Sequence, residues 1–152
     1  MNPRDYGLDY ESFRVHPVTG MRVQEDAIKA IVESSKRFVC LSAPPGLGKT
    51  VIALAAARIV KGRTLILTAT KGLQEQYSDE VSWISTIKGK DNYTCVDWGS
   101  CKNGRIHGCE YLGSSDCNYE QRRLSAVNAK VVVSNYAYWF SNPQALGSFE
   151  LL

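Results

Sequence analysis

The chain has 152 residues, 44% of them hydrophobic, enough for one domain with a real core. Its net charge of +3 permits nucleic-acid binding without demanding it, and no apolar run approaches the roughly 20 residues of a membrane span. The N-terminus has no apolar signal core, so the expectation is a soluble intracellular protein, cytoplasmic or nucleoid-associated. In that compartment the five cysteines are metal ligands or buried thiols rather than disulfides.

Residues 1–20 are polar and aromatic, with Pro3, Pro17 and Gly20, and read as an irregular arm. Residues 21–35 carry a helical pattern with Ala27, Ile28, Ile31 and Val32 on one face. Gln24 opens it. Its amide is both donor and acceptor and suits the edge of an adenine; it equally suits a solvated first turn.

Phe38-Val39-Cys40-Leu41 reads as a short strand that stops at Ser42. Behind it come Ala43, Pro44, Pro45, Gly46, Leu47, Gly48, Lys49 and Thr50, then an alanine-rich helical pattern. Strand, glycine-containing loop and helix with Gly-Lys-Thr at the turn make a phosphate loop, with Ala43 in place of the usual first glycine. The glycines free backbone N–H groups to surround phosphate oxygens. Lys49 reaches the β- and γ-phosphates, and Thr50 offers a hydroxyl to Mg²⁺. ATP and Mg²⁺ are the expected ligands, with Lys49 and Thr50 the catalytic pair. Cys40 reads as a small buried hydrophobe on the strand.

Residues 51–60 form the helix behind the loop, and Lys61-Gly62-Arg63 is a C-terminal stop with suitable charges. Thr64–Thr68 (TLILT) is a buried parallel strand, and Leu73, Tyr77, Val81 and Ile84 return to helical spacing. This alternation predicts an α/β fold, a parallel sheet wrapped by helices. From about Lys88 to Asn118 periodicity is lost, in a stretch too long for a structureless loop inside a compact domain. A helix over 119–128, a buried strand over Lys130–Ser134, and a turn with a short helix over Asn135–Phe140 follow.

The irregular stretch holds Cys95, Cys101, Cys109 and Cys117, separated by five, seven and seven residues. Four thiolates in one insert can hold one metal centre that orders a segment with little apolar surface. Without paired Cys-x-x-Cys knuckles, the wide spacing leans towards a [4Fe–4S] cluster; Zn²⁺ is the alternative, with His107 as a substitute ligand. Four unrelated cysteines is the plain reading. Lys88, Lys90, Lys102 and Arg105 interleave with Tyr93, Trp98, His107 and Tyr111, which suits phosphates and bases of a single strand or a solvated loop whose rings cover the metal.

Together the phosphate loop, Thr68-Ala69-Thr70-Lys71 with the Leu-Gln-Glu-Gln that follows, the four-cysteine insert opened by Lys-Gly-Lys-Asp-Asn-Tyr-Thr-Cys, and Val-Val-Val-Ser-Asn-Tyr resemble the XPD/DinG family of superfamily 2 DNA helicases over about residues 21–140. The resemblance implies a RecA-like motor domain over 1–87 and 119–152, interrupted by an iron–sulfur insert over 88–118. It implies that Thr68, Thr70 and Lys71 touch single-stranded DNA, that Arg22 and Gln24 form an adenine-recognition element, and that Asn135 is the asparagine ahead of motif II. It further implies ATP-driven 5′-to-3′ unwinding of forked duplexes by the complete enzyme. No acidic pair follows an apolar strand, and Asp79-Glu80 falls inside a helical pattern. The expectation is therefore an N-terminal fragment, inactive as an ATPase, that lacks its C-terminal motor domain. A non-catalytic module that binds single strands around zinc or a cluster is the alternative.

Overall fold

The structure, a computed structural model, describes residues 1–151 and groups them into two compact units. The first spans Met1–Gly62 with Leu151, the second Arg63–Glu150.

The first unit begins with a 3₁₀ turn, Pro3–Tyr6, whose cap Asn2 accepts a bond from the Arg4 N–H at 3.0 Å. Leu8 and Phe13 are buried, so the arm expected to be irregular is anchored by apolar side chains. Helices α1 (Val23–Val32) and α2 (Lys49–Ile59) pack together. Helix α1 turns Ala27 and Ile28 inward, while α2 buries Val51, Ile52, Leu54 and three alanines, Ala55 to Ala57. Small side chains let two helix backbones approach closely, which explains the alanine run.

The run Phe38–Leu41, expected as the strand leading into the phosphate loop, forms no strand. Phe38 is 83% exposed, and Val39 and Leu41 are exposed as well. A strand exists through its ladder; an extended apolar run with no paired neighbour leaves its backbone groups to water. Cys40, expected to be buried, is exposed for the same reason.

The second unit carries β1 (Thr64–Thr68), α3 (Lys71–Glu80), β2 (Ser85–Thr86), α4 (Cys101–Ile106), α5 (Asn118–Asn128), β3 (Val131–Asn135) and α6 (Tyr136–Ser141). The strands form a parallel sheet in the order β1-β3-β2. Thr64 lies opposite Val131 and Thr68 opposite Asn135, while Ser85 lies opposite Val132. All five residues of the central strand β3 are buried, as expected of a strand covered on both faces.

Helix α3 ends at Glu80, short of the expected Ile84, because Ser85 and Thr86 extend to pair with β3. Its inward residue is also different. Leu73 is exposed, and Gln74 is fully buried. The Gln74 amide nitrogen donates to the Ile87 and Val133 carbonyls at 2.9 and 3.1 Å, and its oxygen accepts from Asn135 Nδ2 at 3.4 Å. One polar side chain thus closes the carbonyls at the end of β2 onto β3.

Arg63, expected only as a helix-terminal charge, is a clamp in this unit. Its guanidinium donates to the carbonyls of Ala129, Leu146 and Ala126 at 3.1, 2.7 and 2.9 Å, and lies 4.5 Å from the centre of the Phe149 ring. Charge-assisted bonds of this kind are worth more than neutral ones, and losing the donor strands the acceptors. Arg63→Ala should therefore destabilise the second unit by roughly 2–4 kcal/mol, read as a lower urea midpoint with an unchanged slope.

Candidate functional site

The phosphate loop joins the exposed 38–41 run to α2, and its backbone turns are set by glycine. Gly46 and Gly48 have φ of 81° and 82°, the left-handed region that other residues enter only under strain. Gly48 is also the N-cap of α2. A Cβ there would collide with the Gln24 amide nitrogen and reach the Val51 Cβ at 3.9 Å. Lys49 Nζ donates to the Ala43 and Pro44 carbonyls, both at 3.0 Å, so the lysine curls over its own loop. Thr50 follows it in the first turn of α2, where helix N–H groups and the dipole favour an anion.

Gln24 is 3% exposed and does not present its amide to solvent. Its oxygen accepts from the Arg14 N–H at 2.7 Å, and its nitrogen donates to the Leu47 carbonyl at 2.7 Å. Both ends of the amide expected at an adenine edge are therefore engaged in bracing the loop. Arg22 instead pairs with Glu25 at 3.3 Å.

In the second unit, Thr68, Thr70 and Lys71 stand where β1 gives way to α3, the C-terminal edge where open parallel sheets place ligands. Thr68 is buried, and its hydroxyl donates to the Thr70 carbonyl at 3.0 Å. Thr70 is exposed and caps α3 by accepting from the Leu73 N–H at 3.3 Å. Lys71 is exposed. Asn135, beside Thr68 in register, caps α6 by accepting from the Tyr138 N–H at 2.8 Å. Asp79 and Glu80 close α3, as their helical spacing implied.

The four cysteines of the insert line one small cavity of about 20 Å³, together with Arg105 and Tyr111. The Cys95 and Cys109 sulfurs are 4.0 Å apart. Four sulfurs at ~2.3 Å from one zinc ion would stand about 3.8 Å from each other. Among the described residues no three His, Cys, Asp or Glu side chains converge on a single ion in that way, so a metal site is not shown. Backbone N–H groups of Trp98 and Asp97 hold the Cys95 thiol below its ordinary range. Burial, then the neighbouring Cys117, pushes the Cys101 thiol up. His107 stacks on Trp98 at 4.4 Å rather than joining the thiols.

The family model for the type III restriction enzyme res subunit matches residues 18–148. The chain belongs to that family. No curated protein and no solved structure matches it. For a res-subunit family member, the match supports a superfamily 2 helicase-type ATPase domain and does not single out the XPD/DinG branch. The small parallel sheet with flanking helices is consistent with a RecA-like α/β fold. Among the described residues no helix is long and apolar enough to cross a membrane.

The res-subunit fold also shows what composition concealed. Three of the insert's cations have partners within the chain: Lys88 with Glu75 at 2.6 Å, Arg105 with Asp91 at 3.2 Å, and Lys90 over the Tyr119 ring at 5.1 Å. Exposed pairs of this kind contribute about 0–1 kcal/mol and exchange readily for phosphate. Helix α4 was not legible in the spacing, nor was Gly104 within it. A Cβ at Gly104 would lie 3.1 Å from Cys95 Sγ and 3.2 Å from Cys109 Cβ, so glycine is what lets the two thiols meet. The sequence carried no signal for it, because a glycine inside a helix marks close packing only once the helix itself is legible. Gly104→Ala should loosen the 95–117 segment, accelerating its proteolytic cleavage roughly tenfold for a local cost of about 1–2 kcal/mol, with the rest of the fragment pattern unchanged.

Proposed function

We propose that the chain is the nucleotide-binding and cysteine-insert portion of an ATP-dependent DNA helicase of the XPD/DinG kind. The observation that carries this reading is the phosphate loop: left-handed glycines, Lys49 lying over the loop carbonyls and Thr50 at the head of α2, in a chain matched over 18–148 by a superfamily 2 helicase-type family. Lys49 and the loop N–H groups of Ala43 to Gly48 (Pro44 and Pro45 have none to give) hold ATP, and the Thr50 hydroxyl is placed for Mg²⁺. Gln24 keeps its place in the nucleotide site as the brace of the loop. Lys71 and the exposed Thr70 hydroxyl face a single strand of DNA, and the complete enzyme couples hydrolysis to 5′-to-3′ unwinding.

What supports a shared inorganic centre is that all four cysteines of the insert line one cavity; a [4Fe–4S] cluster takes four thiolates, and so does Zn²⁺. The lowered Cys95 thiol favours the thiolate that such a ligand needs. Bound there, the cluster would order the insert; the surrounding rings Tyr93, Tyr111 and Tyr119 shield it from water.

Two measurements test this reading. Calorimetric titration of ATP with Mg²⁺ should show binding that Lys49→Ala weakens at least about a hundredfold, consistent with loss of a charge-assisted phosphate contact. Equal affinity in both proteins would leave the alternative, a non-catalytic module for single strands. Purified without oxygen, the protein should be brown and carry iron with acid-labile sulfide, and Cys109→Ser should remove the colour. A colourless protein with stoichiometric zinc would assign the insert to Zn²⁺ instead.

A further inference from the structure

Arg14 belongs to no motif the sequence displays, yet it is tied to the phosphate loop at two points. Its backbone N–H donates to Gln24 Oε1, and the same amide donates through Nε2 to the Leu47 carbonyl, both at 2.7 Å. The path from Arg14 to the loop therefore runs through one buried side chain. The Arg14 guanidinium, meanwhile, donates to the carbonyl of Gly46 at the turn of the loop. The arm that carries it is fixed next door by Phe13, which is buried and packs against Tyr6 with ring centres 6.3 Å apart.

Two cations thus lie on this loop. Lys49 reaches the carbonyls of Ala43 and Pro44, and Arg14 reaches that of Gly46. Among the described residues no carboxylate is paired with Arg14, which is exposed. A guanidinium has five N–H donors in a rigid fork, and one contact with a carbonyl leaves the fork able to grip a phosphate. A lysine offers a point charge, whereas an arginine adds planar, two-pronged recognition of phosphate oxygens.

We propose that Arg14 is a phosphate-contacting residue of the nucleotide site, delivered by the N-terminal arm, which favours triphosphate over nucleotides with fewer phosphates. This rests on the reading of the loop as a nucleotide site. The guanidinium leaves the Gly46 carbonyl for the phosphates, while Gln24 keeps the Arg14 backbone in place. The arm so becomes part of the ligand site and is protected when nucleotide binds.

Calorimetric or competition titration of ATP, ADP and AMP, with Mg²⁺, against the unchanged protein, Arg14→Ala and Arg14→Lys decides the matter. Arg14→Ala should weaken ATP about tenfold, ADP less and AMP hardly at all, because a lost charge-assisted contact scales with the phosphates present. Arg14→Lys should lie between. Equal losses for all three nucleotides would make Arg14 a brace of the loop only, and no loss would remove it from the site; either overturns the proposal. Failure of the unchanged protein to bind ATP would overturn the nucleotide reading itself, a separate outcome. If Arg14→Ala does not fold, the lysine variant carries the same comparison, with a smaller ATP-selective loss expected and an equal loss decisive against the proposal.

Discussion

The second unit depends on the burial of one strand. Val131–Asn135 has a parallel neighbour on each side, and every one of its five residues is enclosed. Enclosure on both faces requires apolar side chains for most of its length, hence three valines in a row. It also leaves the polar end, Ser134 and Asn135, needing partners. Ser134 donates to the Ile87 carbonyl at 3.0 Å, and Asn135 bonds to Gln74 and to the first turn of α6. Because Thr68 is opposite Asn135, the same closure fixes the edge where β1 turns into α3 and where Lys71 emerges. The candidate contact with a single strand is thus held by core hydrogen bonds rather than by a mobile loop.

The first unit solves a different problem. Its phosphate loop has no paired strand to lean on, since residues 38–41 are unpaired and exposed. Position is supplied by side chains instead. The Gln24 amide spans from the arm to Leu47, and it occupies the very space that any side chain at residue 48 would need. Glycine at 48 is therefore required twice, by its left-handed φ and by the amide beside it. A buried amide with donor and acceptor both satisfied rigidifies its surroundings, and an unsatisfied one would be costly.

Periodic and compositional signals were legible where local physics decides the outcome. TLILT is the strand Thr64–Thr68, and the expected strand over 130–134 lies one residue further on, at Val131–Asn135. Helix α5 begins at Asn118, one residue before its expected start. Errors arose where tertiary partners decide. The apolar run 38–41 looks like a strand, but pairing is not written in the run itself. The helical spacing of Leu73 to Ile84 hid the two-residue strand β2, and an apolar-stripe argument could not nominate Gln74 as the inward residue of α3. Among the candidate site residues, Lys49, Thr50 and the four cysteines were nominated by type and spacing, and the structure gathers the cysteines around one cavity. Arg14 and Gly104 were not, because their roles come from approaches across 32 residues for Arg14 and Gly46, and between a helix and two thiols for Gly104.

The insert shows how a segment with few apolar residues is rooted at its base and left to its cysteines at the tip. Near its two ends, Tyr93 and Tyr119 meet edge to face at 5.8 Å, and the Tyr93 hydroxyl accepts from the Lys88 N–H at 3.0 Å. The Tyr119 hydroxyl bonds to that of Tyr138 at 3.1 Å within the core, and burial with this bond pushes the Tyr138 phenol far above its ordinary range. These rings serve as a floor to the insert, which removes Tyr93 from the candidates for base stacking. Beyond them lie short helix α4 and glycine turns, with thiols as the inward-facing groups of the cleft. Thiols alone provide little burial, so the tip rests on local bonds: the Cys109 N–H donates to the Gly104 carbonyl at 2.8 Å, and the Ser100 hydroxyl accepts from the Asn103 N–H at 3.2 Å.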